Sequence, residues 1–453
     1  MKACIHRGAK EIGGSCIELV SCNERIILDL GLPLDAPEAN AYWLPAGLKI
    51  GENDSSLPLA IIISHLHLDH YGLLPFVNPN IPVYIGAASK RILNAAAQFM
   101  PVGRQFSIGG ISYNLENEMP FTLGPFTITP YLVDHSAYDS YALLIEADGE
   151  KILYSGDIRM HGKKGILTER LSEKLAGDVD VLLMEGTNLF PSSESRQENS
   201  ASGSFRSKIE SEKDVEDELV KEFRSTSGFI MLNTSSQNID RIVSVFRACK
   251  RSGRTLIIDL YTAVVLAATG NENIPQSGWD GVKLFVPNSQ RVHIKKNKLF
   301  DILTAHSANR IYMNTLRRIA HKSVMLARPV HLPDLKELAK VDEGKKSPLD
   351  GGRFIYSQWA GYLHKTSFDT FRNFLDEHQI PITLVHTSGH AFLEHLREFA
   401  KTLNPGKIVP IHTSAPEDFS KYFSNVELHP DGEFWGMNPT SQILSGRDFF
   451  SPH

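Results

Sequence analysis

The chain has 453 residues, which at roughly 150 residues per domain implies two or three domains rather than one core. Hydrophobic residues at 42% and charged residues at 22% are ordinary globular values, and no apolar run reaches the roughly 18 residues of a membrane span, so disordered and membrane-spanning classes are excluded. The net charge of -5, from 47 Lys+Arg against 52 Asp+Glu, excludes a uniformly basic surface, and a polyanion would need a local basic patch. Four cysteines without CxxC spacing, and an N-terminus lacking a charged segment followed by an apolar one, read as a reduced, cytoplasmic protein with no membrane partner. Eighteen histidines against four cysteines mean that a bound metal would have imidazole and carboxylate ligands.

Residues 1 to about 157 read as strands and turns. Segments 15–20 and 25–29 form a predicted hairpin pair, 59–64 a buried strand, and a helix is predicted to start at His70. Strands follow at 83–85, 126–131, 141–146 and 151–155, the last two joined by the turn Ala147-Asp148-Gly149-Glu150, and then at 179–184. The Ser-, Asn- and Glu-rich segment 191–207 reads as a loop or linker. Beyond it helix and strand alternate: helix 208–224, strand 228–233, helix 238–251, strand 255–259, strand 282–286, then mostly helical sequence to about 328. That alternation predicts a second, parallel sheet. A charged, turn-rich stretch, 334–352, separates it from strands 354–356 and 382–386, helix 392–403 and strand 407–411.

The sharpest signal is Ser64-His65-Leu66-His67-Leu68-Asp69-His70, an HxHxDH motif leaving an apolar strand. Alternate positions His65 and His67 can point to one side, while the following turn brings Asp69 and His70 to the other. Four ligand-type side chains in six residues can serve two metals about 3.5–4 Å apart, the arrangement used for ester and amide hydrolysis. Further ligands are expected at strand ends: His135 after 126–131, and Asp157 after 151–155, where a carboxylate can bridge two cations. The candidates for one more are His386, His390, His395 and His412; His412 again follows a strand, and His395 reads as a surface residue. The long chain between Asp157 and His412 exceeds what a return within one sheet needs, so an inserted domain is expected.

These residues resemble the metallo-β-lactamase superfamily and, within it, the β-CASP nucleases that include ribonuclease J. The resemblance extends to Gly8-Ala9-Lys10-Glu11-Ile12-Gly13-Gly14-Ser15 and Ile27-Leu28-Asp29-Leu30-Gly31, and is narrowed by Leu182-Leu183-Met184-Glu185-Gly186-Thr187-Asn188, Thr387-Ser388-Gly389-His390-Ala391 and Pro410-Ile411-His412. It implies an α/β fold: a metallo-β-lactamase αββα sandwich over 1–190 and 375–453, with an inserted β-CASP α/β domain over 191–374. It also implies two Zn2+, with Mn2+ accepted by the same ligands. His65, His67 and His135 would hold one ion, Asp69, His70 and His412 the other, and Asp157 would bridge them. Glu185 would orient the metal-site histidines, and His390 would act near the scissile phosphate as general acid or charge stabiliser. The catalytic set is thus Asp69, Asp157, Glu185 and His390.

The activity implied is hydrolysis of phosphodiester bonds in single-stranded RNA, exo- or endonucleolytic, by a hydroxide activated between two metals. Competing readings are a DNA nuclease of the same fold acting on single-stranded DNA, a small-molecule metallohydrolase for a lactone, thioester or cyclic nucleotide, and an inactive scaffold subunit. Ser236 and Asn238 at a helix start, and Ser388, Gly389 and Ala391 beside His390, are candidate phosphate contacts; for the first two an ordinary helix cap competes. A basic run, Arg291 to Lys298 with Arg317, Arg318, His321 and Lys322, offers a local patch for a polyanion, and Phe300 and Tyr312 read as core residues that could otherwise stack bases. Roughly 40 residues follow His412, so the C-terminal domain of ribonuclease J is expected to be missing, which counts against that family's dimer and processive 5′ exonuclease mode while leaving a homo-oligomer open.

Overall fold

The computed structural model describes residues 1–51, 54, 56–100, 106, 110–189, 209–341 and 346–437. The expected linker 191–207 and the predicted helix start at Lys208 lie outside them. Two sheets form the first layers. One runs Phe434–Gly436, Lys2–Arg7, Cys16–Ser21, Glu24–Leu28, Ala60–Ile62, Val83–Gly86 and Ser112–Leu115 from edge to edge; the other runs Lys407–Ile411, Val181–Glu185, Glu150–Tyr154, Ser140–Ala147, Phe126–Val133 and Phe121–Leu123. The two-residue side-chain period divides each strand between two cores. Ile26, Leu28 and Ile62 of the first sheet meet Ile128, Leu143, Ile145, Ile152 and Leu183 of the second in an inter-sheet core. Ile27 and Ile61 point outward with helix residues Ile92 and Leu93, while Leu144, Leu153 and Leu182 face Leu171, Leu396 and Phe399 of helices Gly165–Lys174 and Leu393–Leu403. The result is an αββα sandwich, as expected.

Both predicted hairpins close with two residues at positive φ, Cys22 and Asn23 in one and Asp148 and Gly149 in the other, the turn geometry that matches strand twist. The third sheet is parallel, in the order Arg310–Ile311, Val282–Phe285, Thr255–Ile258, Ser323–Leu326, Ile230–Asn233, Arg353–Tyr356 and Ile382–Leu384. The chain builds it after leaving the second sheet at Val181–Glu185 and before returning with Lys407–Ile411, which pairs parallel with Val181–Glu185.

Several predicted boundaries move. The helix expected at His70 begins at Leu68 and lasts one turn, Leu68–Tyr71, closed by the Gly72 N–H on Leu68 O. Ser323–Leu326, inside a stretch read as helical, is a central strand; its three apolar residues, Val324, Met325 and Leu326, carry no periodicity that separates strand from helix. The helix Leu332–Ala339 occupies the start of the expected separator 334–352, with Pro333 in its first turn. Ile382–Leu384, expected with the returning core, is the edge strand of the third sheet. No helix among the described residues is long and apolar enough to cross a membrane, and all four cysteines are free thiols.

Candidate metal centre

Strand ends assemble the site. His65 and His67 follow Ala60–Ile62, His135 follows Phe126–Val133, Asp157 follows Glu150–Tyr154, and His412 follows Lys407–Ile411. The loops between them interlock through backbone: Ser15 N–H donates to Asp69 O at 3.0 Å, Gly31 N–H to Ser15 O at 2.9 Å, and Leu30 N–H to His70 O at 2.8 Å. Gly31 is required here, since a Cβ would stand 1.7 Å from the carbonyl oxygen of Asp69. Asp29 and His412 both adopt left-handed backbone, φ 57° and 49°, a strain that non-glycine residues hold only where surroundings enforce it. Here Asp29 N–H bonds Ile62 O and His412 N–H bonds Gly8 O.

Asp157 is the hub. Its Oδ2 lies 3.2 Å from His70 Nε2, 3.5 Å from His65 Nε2, 3.7 Å from His390 Nδ1 and 3.8 Å from His135 Nε2, and its Oδ1 lies 3.8 Å from His412 Nδ1. Asp69 Oδ2 is 3.7 Å from His412 Nε2 and 4.0 Å from His70 Nε2, and His135 Nε2 faces His67 Nδ1 at 3.1 Å. Three groupings have ligand atoms within 4.8 Å of one another: His65, His67, His135 and Asp157; Asp69, His70 and His412; and Asp157, His390 and His412.

Each of three imidazoles is anchored through one nitrogen and unpaired at the other. His65 Nδ1 contacts Ser64 Oγ at 3.0 Å, His70 Nδ1 contacts Asp29 Oδ2 at 2.7 Å, and His412 Nδ1 contacts Ser15 Oγ at 2.9 Å. Their Nε2 atoms, together with His135 Nδ1 and both oxygens of Asp157, are buried without a hydrogen-bond partner. Buried polar atoms are almost always satisfied, so this group of orphans fits a cluster completed by cations. Electrostatics favour neutral rings at His65, His67 and His135, whereas at His70 Asp157 and Asp29 outweigh burial and hold the imidazole well above the ordinary range. Burial and neighbouring imidazoles push His65 and His135 well below the ordinary histidine range, and burial takes His67 down to about 4, leaving neutral rings with lone pairs. Burial opposes the Asp157 anion, but His412 and His70 outweigh it and hold its carboxyl well below the usual range.

Residues 49–205 match the family model described as a Beta-lactamase superfamily domain. Ribonuclease J of Sinorhizobium meliloti is 25% identical over 417 residues, covering 86% of this chain, and ribonuclease J 1 of Streptococcus pyogenes is 21% identical over 420 residues, covering 89%. The chain is a metallo-β-lactamase-fold relative of ribonuclease J. It spans 64% and 67% of the length of those two proteins. A protein of unknown function from Enterococcus faecalis V583 shares the fold, with a TM-score of 0.71, 22% identity, and coverage of 96% of this chain and 99% of that one.

In this ribonuclease J relative, Glu185 takes a different partner from the one expected. Its Oε2 lies 3.0 Å from His390 Nδ1 and its Oε1 accepts the Ile158 N–H at 2.7 Å, whereas His65 and His412 are anchored by serines and His70 by Asp29. Burial disfavours charge on His390, but Glu185 and Asp157 outweigh it and raise its pKa to about 9. The Asp29 carboxylate, to which sequence reasoning assigned no role, also accepts the Ser64 N–H and Oγ at 2.7 Å and the Tyr154 hydroxyl at 2.5 Å. A polar residue closing an apolar strand, as Asp157 also does, was the available signal.

The phosphate candidates fare unevenly. Ser236 is buried against Thr262 and Arg328, and Asn238 caps helix Ile239–Ser252 by accepting the Arg241 N–H, so both serve the fold. Ala391 spends its N–H on Ile158 O at 2.7 Å, which removes it as an anion donor. Ser388 and Gly389 do lie beside the centre: Ser388 Oγ accepts from Asn188 and the His390 N–H, and a Cβ on Gly389 would strike Ser136 Oγ.

His386 is absorbed into a buried ionic joint that sequence reasoning missed. Arg241 donates to Glu212 at 2.7 Å, Ser357 O at 2.9 Å and Thr387 O at 3.3 Å, and meets His386 Nδ1 at 3.2 Å; Arg159 bonds Asp240 at 2.8 Å and stands 3.3 Å from Asp134. These groups tie the 134–135 and 157–159 strand ends to the third sheet and to the 387–390 loop. His395 is half-buried against His161 and Phe392 rather than on the surface.

Proposed function

We propose that this protein is a metal-dependent nuclease that hydrolyses phosphodiester bonds of single-stranded RNA. The observation that carries the reading is the ring of orphaned imidazole nitrogens around the unpaired Asp157 carboxylate. His65, His67 and His135 would hold one divalent cation, Asp69, His70 and His412 a second, with Asp157 shared between them. Zn2+ or Mn2+ suits these ligands. Two such cations supply an activated water near neutral pH and neutralise the non-bridging phosphate oxygens. Asp29, Ser64 and Ser15 fix the ring orientations of His70, His65 and His412. Glu185 engages Nδ1 of His390 and leaves Nε2 as the proton donor. As water adds to phosphorus and the P–O3′ bond breaks, the His390 proton passes to the leaving 3′ oxygen, giving a 5′-phosphate and a 3′-hydroxyl. RNA is preferred to DNA because the relatives carry the name ribonuclease.

We read the chain as a sandwich core over 1–190 that resumes after the third sheet, with the inserted domain between; the pairing of Ile382–Leu384 with Arg353–Tyr356 supports a return a few residues beyond 375. A reduced cytoplasmic setting accords with the free thiols. The test is incubation with labelled 5′-monophosphorylated RNA, single-stranded DNA and duplex DNA, with Zn2+ or Mn2+ and with chelator. Metal-dependent cleavage of RNA is the expected result, mononucleotides marking an exonuclease and internal fragments an endonuclease. Cleavage of DNA alone, or of no polymer, would overturn the proposal.

A further inference from the structure

The third sheet has two edges. One, Ile382–Leu384, leads into the loop bearing His390; at the other, Val282–Phe285 pairs parallel with Arg310–Ile311. Beyond the carboxyl ends of that second pair is a recess of about 200 Å³, lined among others by Phe285, Val286, Arg291, Arg310, Tyr312 and Asn314. The basic run singled out in the sequence meets the recess at Arg291, on helix Asn288–Asn297, which continues to exposed Lys295 and Lys296.

The two guanidinium groups are underused. Arg310 has no carboxylate within 4 Å among the described residues, and its Nε is buried without a hydrogen-bond partner. Its Cζ instead lies 4.9 Å from the ring centroid of Tyr312. Among the described residues the only carboxylate Arg291 reaches is Asp334, at 3.7 Å, whose oxygens also accept the Asn288 N–H, and its side chain is about half exposed. Guanidinium donors in this state match the fork of a phosphate. Tyr312, expected in the core, is 60% exposed, and a ring already carrying a cation on one face suits a nucleobase on the other. The recess is smaller than the roughly 300–1,000 Å³ of a drug-sized pocket, so it admits one phosphate while the base lies outside on the tyrosine.

We propose that this recess binds a nucleoside 5′-monophosphate unit, its phosphate between Arg291 and Arg310 and its base against Tyr312. Such a unit can come from a single-stranded RNA or from a free mononucleotide. The inference is independent of the metal centre, and its test needs no turnover.

The full-length protein is titrated into 2-aminopurine riboside 5′-monophosphate and fluorescence quenching is followed, then competed with unlabelled phosphorothioate oligoribonucleotide. Quenching by the wild type is expected, with affinity lowered about tenfold or more in Arg310→Gln and in Tyr312→Ala. Hydrolysis of bis(p-nitrophenyl) phosphate should be the same in all three. Tighter binding of the oligonucleotide than of the nucleotide identifies an RNA strand as the ligand, and equal binding identifies free nucleotide. No quenching by the wild type, or unchanged affinity in Tyr312→Ala, an exposed substitution that leaves the core untouched, overturns the proposal.

Discussion

Glu212→Gln probes the joint that holds the third sheet against the strand ends of the candidate metal centre. Glu212 opens helix Glu212–Ser225 and is 1% exposed. Its carboxylate accepts from Arg241 at 2.7 and 3.2 Å and from Ser244 at 3.2 Å, with Arg159 Nη1 at 3.5 Å. Burial alone would raise the carboxyl, yet Arg241 and Arg159 outweigh it and lower its pKa to about 2. Against an unfolded value of about 4.5, that depression stabilises the fold by about 3 kcal/mol near neutral pH. Because the folded pKa is the lower one, the stabilisation is complete above about pH 5. It falls as pH drops through the unfolded value, shrinking to about 1 kcal/mol near pH 3. The glutamine variant keeps two buried guanidiniums with less opposing charge and should lose about 3 kcal/mol near pH 7, close to the cost of removing one member of a buried ion pair. Urea unfolding followed by circular dichroism at several pH values measures this. The gap between wild type and variant should narrow steadily below about pH 4.5. A variant as stable as wild type near neutrality, or a gap that does not change with pH, would refute the reasoning.

Asp69→Ala and His67→Ala should each lower bound metal and abolish RNA hydrolysis together, as read by elemental analysis and a cleavage assay on the same preparation. His390→Ala should keep its metal and lose about 10²–10⁴ in turnover, the range for removing a general acid; equal loss of metal would instead make His390 a ligand. Asp29→Asn removes the negative charge facing Nδ1 of His70 and should weaken metal affinity about 10- to 100-fold, measurable by competition with a chelating dye.

The HxHxDH segment was legible because four ligand types in six residues have few other uses, and His135, Asp157 and His412 were legible because each follows an apolar run at a strand end. The residues that hold them were not. Asp29 reaches His70 from another strand and Tyr154 from another sheet, and Arg241 collects Glu212, Ser357 and Thr387 from three separate segments. Such contacts leave no local period. The same limit explains Ser323–Leu326, whose place at the centre of a sheet is decided by its neighbours Ile230–Asn233 and Thr255–Ile258. Tyr312 was misread because an aromatic residue beside an apolar strand usually packs inward, whereas here it borders a basic recess.

Elemental analysis of the purified chain beside that of Asp157→Asn tests the central claim most directly, since Asp157 stands between both ligand sets. The account predicts two divalent cations per wild-type chain, lost with RNA cleavage in the variant. Cleavage of RNA by wild-type protein that carries no metal and resists chelators would contradict it.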